Sequence, residues 1–131
     1  MGPQSEDIKD MLVAESSLGL IFATSLFIGL EPATPDETVT IFDTMGFPDQ
    51  LTLTPGEVYE YPSIQIRVRS NDYMTGWTLA HDIKTSLHGR AQETWNGTLY
   101  SVIYTPGGVA FLDWDDSDRA RFIINFNLQR R

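Results

Sequence analysis

The sequence predicts an α+β protein: a single domain over residues 1–131, with a mostly antiparallel β-sheet packed by an N-terminal helix and one long helix. Three observations carry this reading. Residues 63–69 and 120–128 alternate apolar and polar side chains, the period of a strand with one buried face. Residues 73–88 switch to the three-and-four spacing of an amphipathic helix. Asn96-Gly97, between two β-rich runs, is the strongest two-residue hairpin signal in the chain, because both residues tolerate positive φ.

In chain order, Ser5 is placed to cap a short helix over residues 5–16, with Glu6 and Asp7 suiting the dipole of the first turn and Ile8, Met11 and Leu12 on one face. Gly19 ends it. Residues 20–28 are apolar on both faces and bounded by Gly19 and Gly29, which favours a covered strand. Pro32 and Pro35 mark a loop, and residues 38–44 alternate as a second strand. Residues 45–60 hold Gly46, Pro48, Pro55 and Gly56 and read as a long connection, with Leu51 and Leu53 able to form a short strand inside it.

The strand at 63–69 sends Ile64, Ile66 and Val68 to one side and Ser63, Gln65, Arg67 and Arg69 to the other. Asn71 or Asp72 caps the long helix, whose expected core face is Met74, Trp77, Ala80, Ile83 and Leu87, and Gly89 follows its end. The rest reads as a meander. Strands at 92–95 and 98–105 flank Asn96-Gly97; Pro106-Gly107-Gly108 turns into a strand at 109–114. The acidic turn 115–118 leads to the last strand, with Ala120, Phe122, Ile124, Phe126 and Leu128 inward.

The net charge of −9 argues against binding by clustered cations to nucleic acid or an anionic membrane. The charge is lopsided. Residues 1–62 hold eleven acids and one lysine, a balance of −10; residues 63–131 hold seven acids and eight basic residues, a balance of +1. The absence of cysteine excludes disulfide and thiolate chemistry. The acidic N-terminus is not read as a secretory signal, and the apolar-rich run at 18–30 is too short to span a bilayer.

Catalytic patterns are not found. Asp113, Asp115, Asp116 and Asp118 are the densest set of possible metal ligands, but counting from Asp113 an EF-hand would need glycine where Asp118 stands and an acid where Ile124 stands. A solvated turn is the better reading. His81 and His88 are seven residues apart on the predicted helix, about 10 Å of rise, too far to share one metal. There is no nucleophile elbow, phosphate-binding glycine loop or zinc spacing. The expectation is no enzyme, no cofactor and no metal. Trp77, Phe122 and Phe126 are read as core rather than as a stacking platform for single strands.

Several pieces, in order, resemble the tail terminator (tail completion, or minor capsid) proteins of long-tailed bacteriophages. They are Thr38-Val-Thr-Ile-Phe-Asp-Thr-Met-Gly46, Tyr61-Pro-Ser-Ile-Gln-Ile-Arg-Val-Arg69, the helix pattern Tyr73, Ala80, Ile83, Leu87-His88-Gly89, then Asn96-Gly97-Thr98 with Tyr100, and Arg121-Phe-Ile-Ile-Asn-Phe126. The resemblance implies a structural virion protein without catalytic activity, made in the host cytoplasm. Such proteins form rings, typically sixfold, that cap the tail tube, stop its polymerisation and dock the head-side connector, with genomic DNA passing through the lumen. The expected partners are the protein itself, the tube protein and the connector, and no membrane. Two other classes stay open: a related neck or head-completion protein, and a small soluble binding module or hydrolase using the acidic turn.

A ring needs two unlike, complementary edges. Arg67 and Arg69, with Gln65 beside them, are candidates to meet acids of a neighbouring subunit, among them Asp43, Glu57 and Glu60. Pairing within the subunit, or solvation, is the competing reading. A second expectation is that residues 46–60 form an assembly loop that orders against a neighbour or the tube.

Overall fold

Alternating β-branched and aromatic residues form one seven-stranded sheet with both helices on the same face. The computed structural model describes residues 1–51 and 58–131. Helix α1 (Gln4–Ala14) is followed by a 3-10 turn (Ser16–Leu18) and a short strand β1 (Leu26–Ile28). Then come β2 (Thr38–Leu51), β3 (Val58–Ser70) and helix α2 (Tyr73–Leu87). The chain ends with β4 (Ala91–Trp95), β5 (Thr98–Tyr104), β6 (Val109–Trp114) and β7 (Ala120–Arg130). The strand order is β1-β2-β3-β7-β5-β4, with β6 also on β7. All pairings between these strands are antiparallel except β1 with β2. The predicted α+β class with a mostly antiparallel sheet is the observed one.

The inward residues of β2, β3 and β7 stand opposite one another in register: Val39 with Val68, Ile41 with Ile66, Ile66 with Ile124 and Val68 with Phe122. Ile8, Met11 and Leu12 of α1 and Ala80, Ile83 and Leu87 of α2 close this layer, and all of these residues are fully buried. Full burial of an aliphatic side chain stabilises by about 1.5–3 kcal/mol, so this layer dominates the fold. A polar network ties α1 down. The buried Asp7 carboxylate accepts hydrogen bonds from the Tyr100 hydroxyl and from Asn96 in the β4–β5 turn. That turn has positive φ at both Asn96 and Gly97, as its sequence required.

Five expectations are corrected. Ser5 does not cap α1: Pro3 precedes the helix, and Ser5, in the first turn, donates through its backbone N–H and hydroxyl to Asp43 on β2 (2.9 and 2.7 Å). The helix ends at Ala14 rather than residue 16. Residues 20–28 are strand only at 26–28. Residues 21–26 form a tight turn in which Thr24, Ser25 and Leu26 donate to the Ile21 carbonyl and Ala23 takes φ 66°, leaving Ile21 and Phe22 exposed.

Residues 45–60 are not a long connection in their described part. β2 continues to Leu51 and β3 begins at Val58, making a hairpin arm with register shifts after Thr44 and Phe47; Leu53, Pro55, Gly56 and Glu57 lie outside the described residues. Finally, α2 does not face the core through Met74 and Trp77, which are exposed. Its buried stripe is Gly76, Ala80, Ile83 and Leu87, and Trp77 stacks on His81 at 5.0 Å.

The reason for this rotation is close approach. A Cβ on Gly76 would lie 2.9 Å from the buried Phe122 ring and 3.0 Å from the Ser70 Cβ, so the helix rests on the sheet through its smallest residue. Its start is fixed by Asp72, which accepts from the Thr75 N–H at 3.0 Å. Gly76→Ala is expected to cost about 1–3 kcal/mol by overpacking, despite alanine's better helix propensity. Urea unfolding checks this; a more stable variant would contradict the packing account.

Candidate assembly surface

The second face of the sheet carries the polar residues of the same strands. Thr38, Thr40 and Phe42 of β2 stand opposite Arg69, Arg67 and Gln65 of β3, and those opposite Arg121, Ile123 and Asn125 of β7. Like charges directly opposite on neighbouring strands, as Arg69 and Arg121 are, repel unless a counter-charge lies against them. Residues 31–37 supply that counter-charge. Glu31 lies 3.4 Å from Arg69, 3.3 Å from Arg121 and 3.8 Å from Arg67. Arg69 is only 2% exposed and also donates to the carbonyls of Pro35 (2.6 Å) and Asp36 (3.3 Å). Arg119 donates to the carbonyl of Ala33 and to Asp36, and Asn71 to Asp36.

The arginines of β3 and β7 therefore hold the 31–37 segment against the sheet. Arg67 is the least committed. It rests over the Phe42 ring at 5.1 Å and donates to Gln65 at 3.3 Å, while its Nε has no hydrogen-bond partner among the described residues.

The other residues expected at a subunit boundary also have partners within the chain. Gln65 donates to Asn125, Asp43 accepts from Ser5, and Glu60 binds Arg130 at 2.8 Å; Glu57 lies outside the described residues. The acidic turn is engaged too. Asp113 holds Arg121 through two hydrogen bonds of 2.6 Å, and Asp115 holds Arg119 at 2.8 Å.

The Arg121 guanidinium keeps the Asp113 carboxyl below its ordinary 3.8, against partial desolvation. A carboxylate whose folded pKa is depressed contributes stability that is present above the unfolded pKa and lost as pH falls through the folded one. Stability is therefore expected to hold from neutral pH down to about 4 and to fall below it, and Asp113→Asn to reduce that fall. Urea midpoints at pH 7, 4 and 3 read this; an unchanged midpoint at pH 3 would contradict it.

Among the exposed apolar side chains, two groups lie far apart, near opposite ends of β3. On the hairpin arm Met45 is 96% exposed and Phe47 60%. Near the other end of β3, Tyr73, Phe111 and Trp114 form an exposed aromatic cluster with ring centroids 5.5–6.3 Å apart, backed by buried Phe122. Sequence reasoning passed over both. Met45 and Phe47 fall in the expected connection, and Trp114 has no periodic partner along the chain. From Tyr61 to Ser70 the strand rises roughly 30 Å, so the two patches cannot cover each other within one subunit. Exposed apolar clusters of this kind mark contact surfaces.

Fold and surface thus define a class: a small sheet-and-helix subunit built to be incorporated into a larger assembly. Residues 6–131 match the family described as bacteriophage tail terminator protein. The chain belongs to this family, and is a structural component of a phage-type tail. No curated protein matches it. Among solved structures, one chain of a native gene transfer agent virion superposes with a TM-score of 0.67 at 13% identity, covering 95% of this chain and 92% of that one. Another superposes with a TM-score of 0.57 at 8% identity, over 98% and 91% of the two chains. At these identities the likeness shows the shared fold. No helix among the described residues is long and apolar enough to cross a membrane.

Proposed function

We propose that the protein closes into a ring, sixfold in the form typical of its relatives, that caps the tail tube. The ring stops tube polymerisation and presents the docking surface for the head-side connector. The observation that carries this reading is the pair of unlike exposed patches at opposite ends of β3: the Met45/Phe47 arm and the Tyr73/Phe111/Trp114 cluster. An arm that reaches the aromatic cluster of the next copy makes a head-to-tail contact, and such contacts close into rings when the rotation per subunit allows.

In this reading Asp43 and Glu60, at the root of the arm, and Gln65 and Arg67, on the open face, lie beside the subunit boundary. Arg69 acts from beneath by fixing residues 31–37. The net charge of −9 suits a lumen through which DNA slides without being gripped.

Particles assembled without this protein test the role. Tails longer than normal support a terminator. Tails of normal length that fail to join heads would overturn it in favour of a neck protein.

A further inference from the structure

A groove runs along the outer flank of α2, between that helix and the 3-10 turn at Ser16–Leu18. One part of it has a volume of about 570 Å³, with Leu18, Met74 and Leu79 as apolar lining and Glu37 and Asp82 among its polar residues. It continues into a second hollow of about 320 Å³ that shares Leu18 and Asp82 and adds Glu15. Hollows of this size, lined by apolar side chains with a few placed polar groups, are of the kind that receive a ligand group.

The charges in the groove are largely unspent. Among the described residues Asp82 makes no hydrogen bond or ion pair, and Glu37 accepts only the Asn71 N–H. Glu15 is 3.7 Å from Arg90, which closes that end through its bonds to Ser86. The occupant that complements the groove is cationic and partly aliphatic.

A second copy has few unpaired cations to supply it. Among the described residues every lysine and arginine except Lys84 and Arg131 is ion-paired with a carboxylate of its own chain. Arg131 rests over the Tyr59 ring.

We propose that the groove docks a segment of a different protein of the assembly, one carrying lysine or arginine beside an aliphatic side chain. This rests on the reading of the chain as an assembly component, but not on ring closure or on the arm.

The test is a titration of the full-length, 15N-labelled protein with three blocked tetrapeptides: Lys-Leu-Leu-Lys, Gln-Leu-Leu-Gln and Glu-Leu-Leu-Glu. The lysine peptide is expected to shift the amides of Leu18, Thr78, Leu79 and Asp82, the glutamine peptide less, and the glutamate peptide not at all. The effect should weaken as salt rises. The double variant Glu37→Gln/Asp82→Asn, whose changed side chains are both exposed, should bind the lysine peptide about fivefold to tenfold more weakly.

Equal shifts with all three peptides, shifts scattered away from the groove, or unchanged affinity in the double variant would each overturn the proposal. So would groove amides that shift with the protein's own concentration, because a second copy would then be the occupant. A failed titration leaves tail termination standing, since that is read from tail length; altered tail length with intact peptide binding leaves the groove standing.

Discussion

Replacing Glu31 by alanine is expected to destabilise the subunit by about 3 kcal/mol, the scale for removing one partner of a buried ion pair. For a domain of this size that lowers the melting temperature by roughly 10 °C. Glu31 is the carboxylate that Arg67, Arg69 and Arg121 share among the described residues. Arg69 is 2% exposed, so without Glu31 its hydrogen bonds among the described residues go only to the neutral carbonyls of Pro35 and Asp36. An uncompensated buried cation costs far more than a broken surface pair, which is worth about 0–1 kcal/mol. Glu31→Gln, which keeps an acceptor but not the charge, should fall between alanine and the parent. Urea unfolding of the three proteins measures this, and an alanine variant within about 0.5 kcal/mol of the parent would contradict the clasp.

The second large effect is on assembly rather than stability. Met45→Ser/Phe47→Ser should leave the unfolding midpoint nearly unchanged, because both side chains already stand in solvent. It should abolish ring formation. Burying a methionine or phenylalanine side chain is worth about 1.5–3 kcal/mol, so losing both costs each subunit contact a factor of more than a hundred in association. No exposed ion pair on the arm could offset that. Sedimentation or native mass measurement of parent and variant decides the point, with subunits alone in the variant as the expected result. Intact rings would place the contact elsewhere.

Much of the architecture was legible because it rests on local periodicity. β7 shows its buried face at Ala120, Phe122, Ile124, Phe126 and Leu128 without any knowledge of its neighbours. The Asn96-Gly97 turn declares itself through positive φ. What was missed depends on contacts between distant residues. The facing stripe of α2 includes Gly76, which carries no hydrophobic signal and was therefore passed over for Trp77.

The arm reads as a loop in sequence because Gly46 and Pro48 usually break strands, whereas here they sit at register shifts in the β2–β3 ladder. A Cβ on Gly46 would lie 1.9 Å from the Tyr61 carbonyl oxygen, so this position requires glycine. The site suffered for the same reason. Asp43, Glu57 and Glu60 looked like partners for Arg67 and Arg69 because they were nearby acids in an acidic half. The acid that holds these arginines within the chain, Glu31, lies in an irregular segment, thirty-eight residues before Arg69, where no period points to it. The bulky alternating positions were visible from sequence; which cation meets which anion was set by how that segment folds back.

The most direct measurement of the central claim is electron imaging of tail-tube segments incubated with the purified protein. The account predicts a closed ring of identical subunits at one end of each segment, bound there and not along the sides, and tubes so capped that no longer elongate when more tube protein is added. Single subunits scattered along the tube wall, or capped tubes that continue to grow, would contradict it.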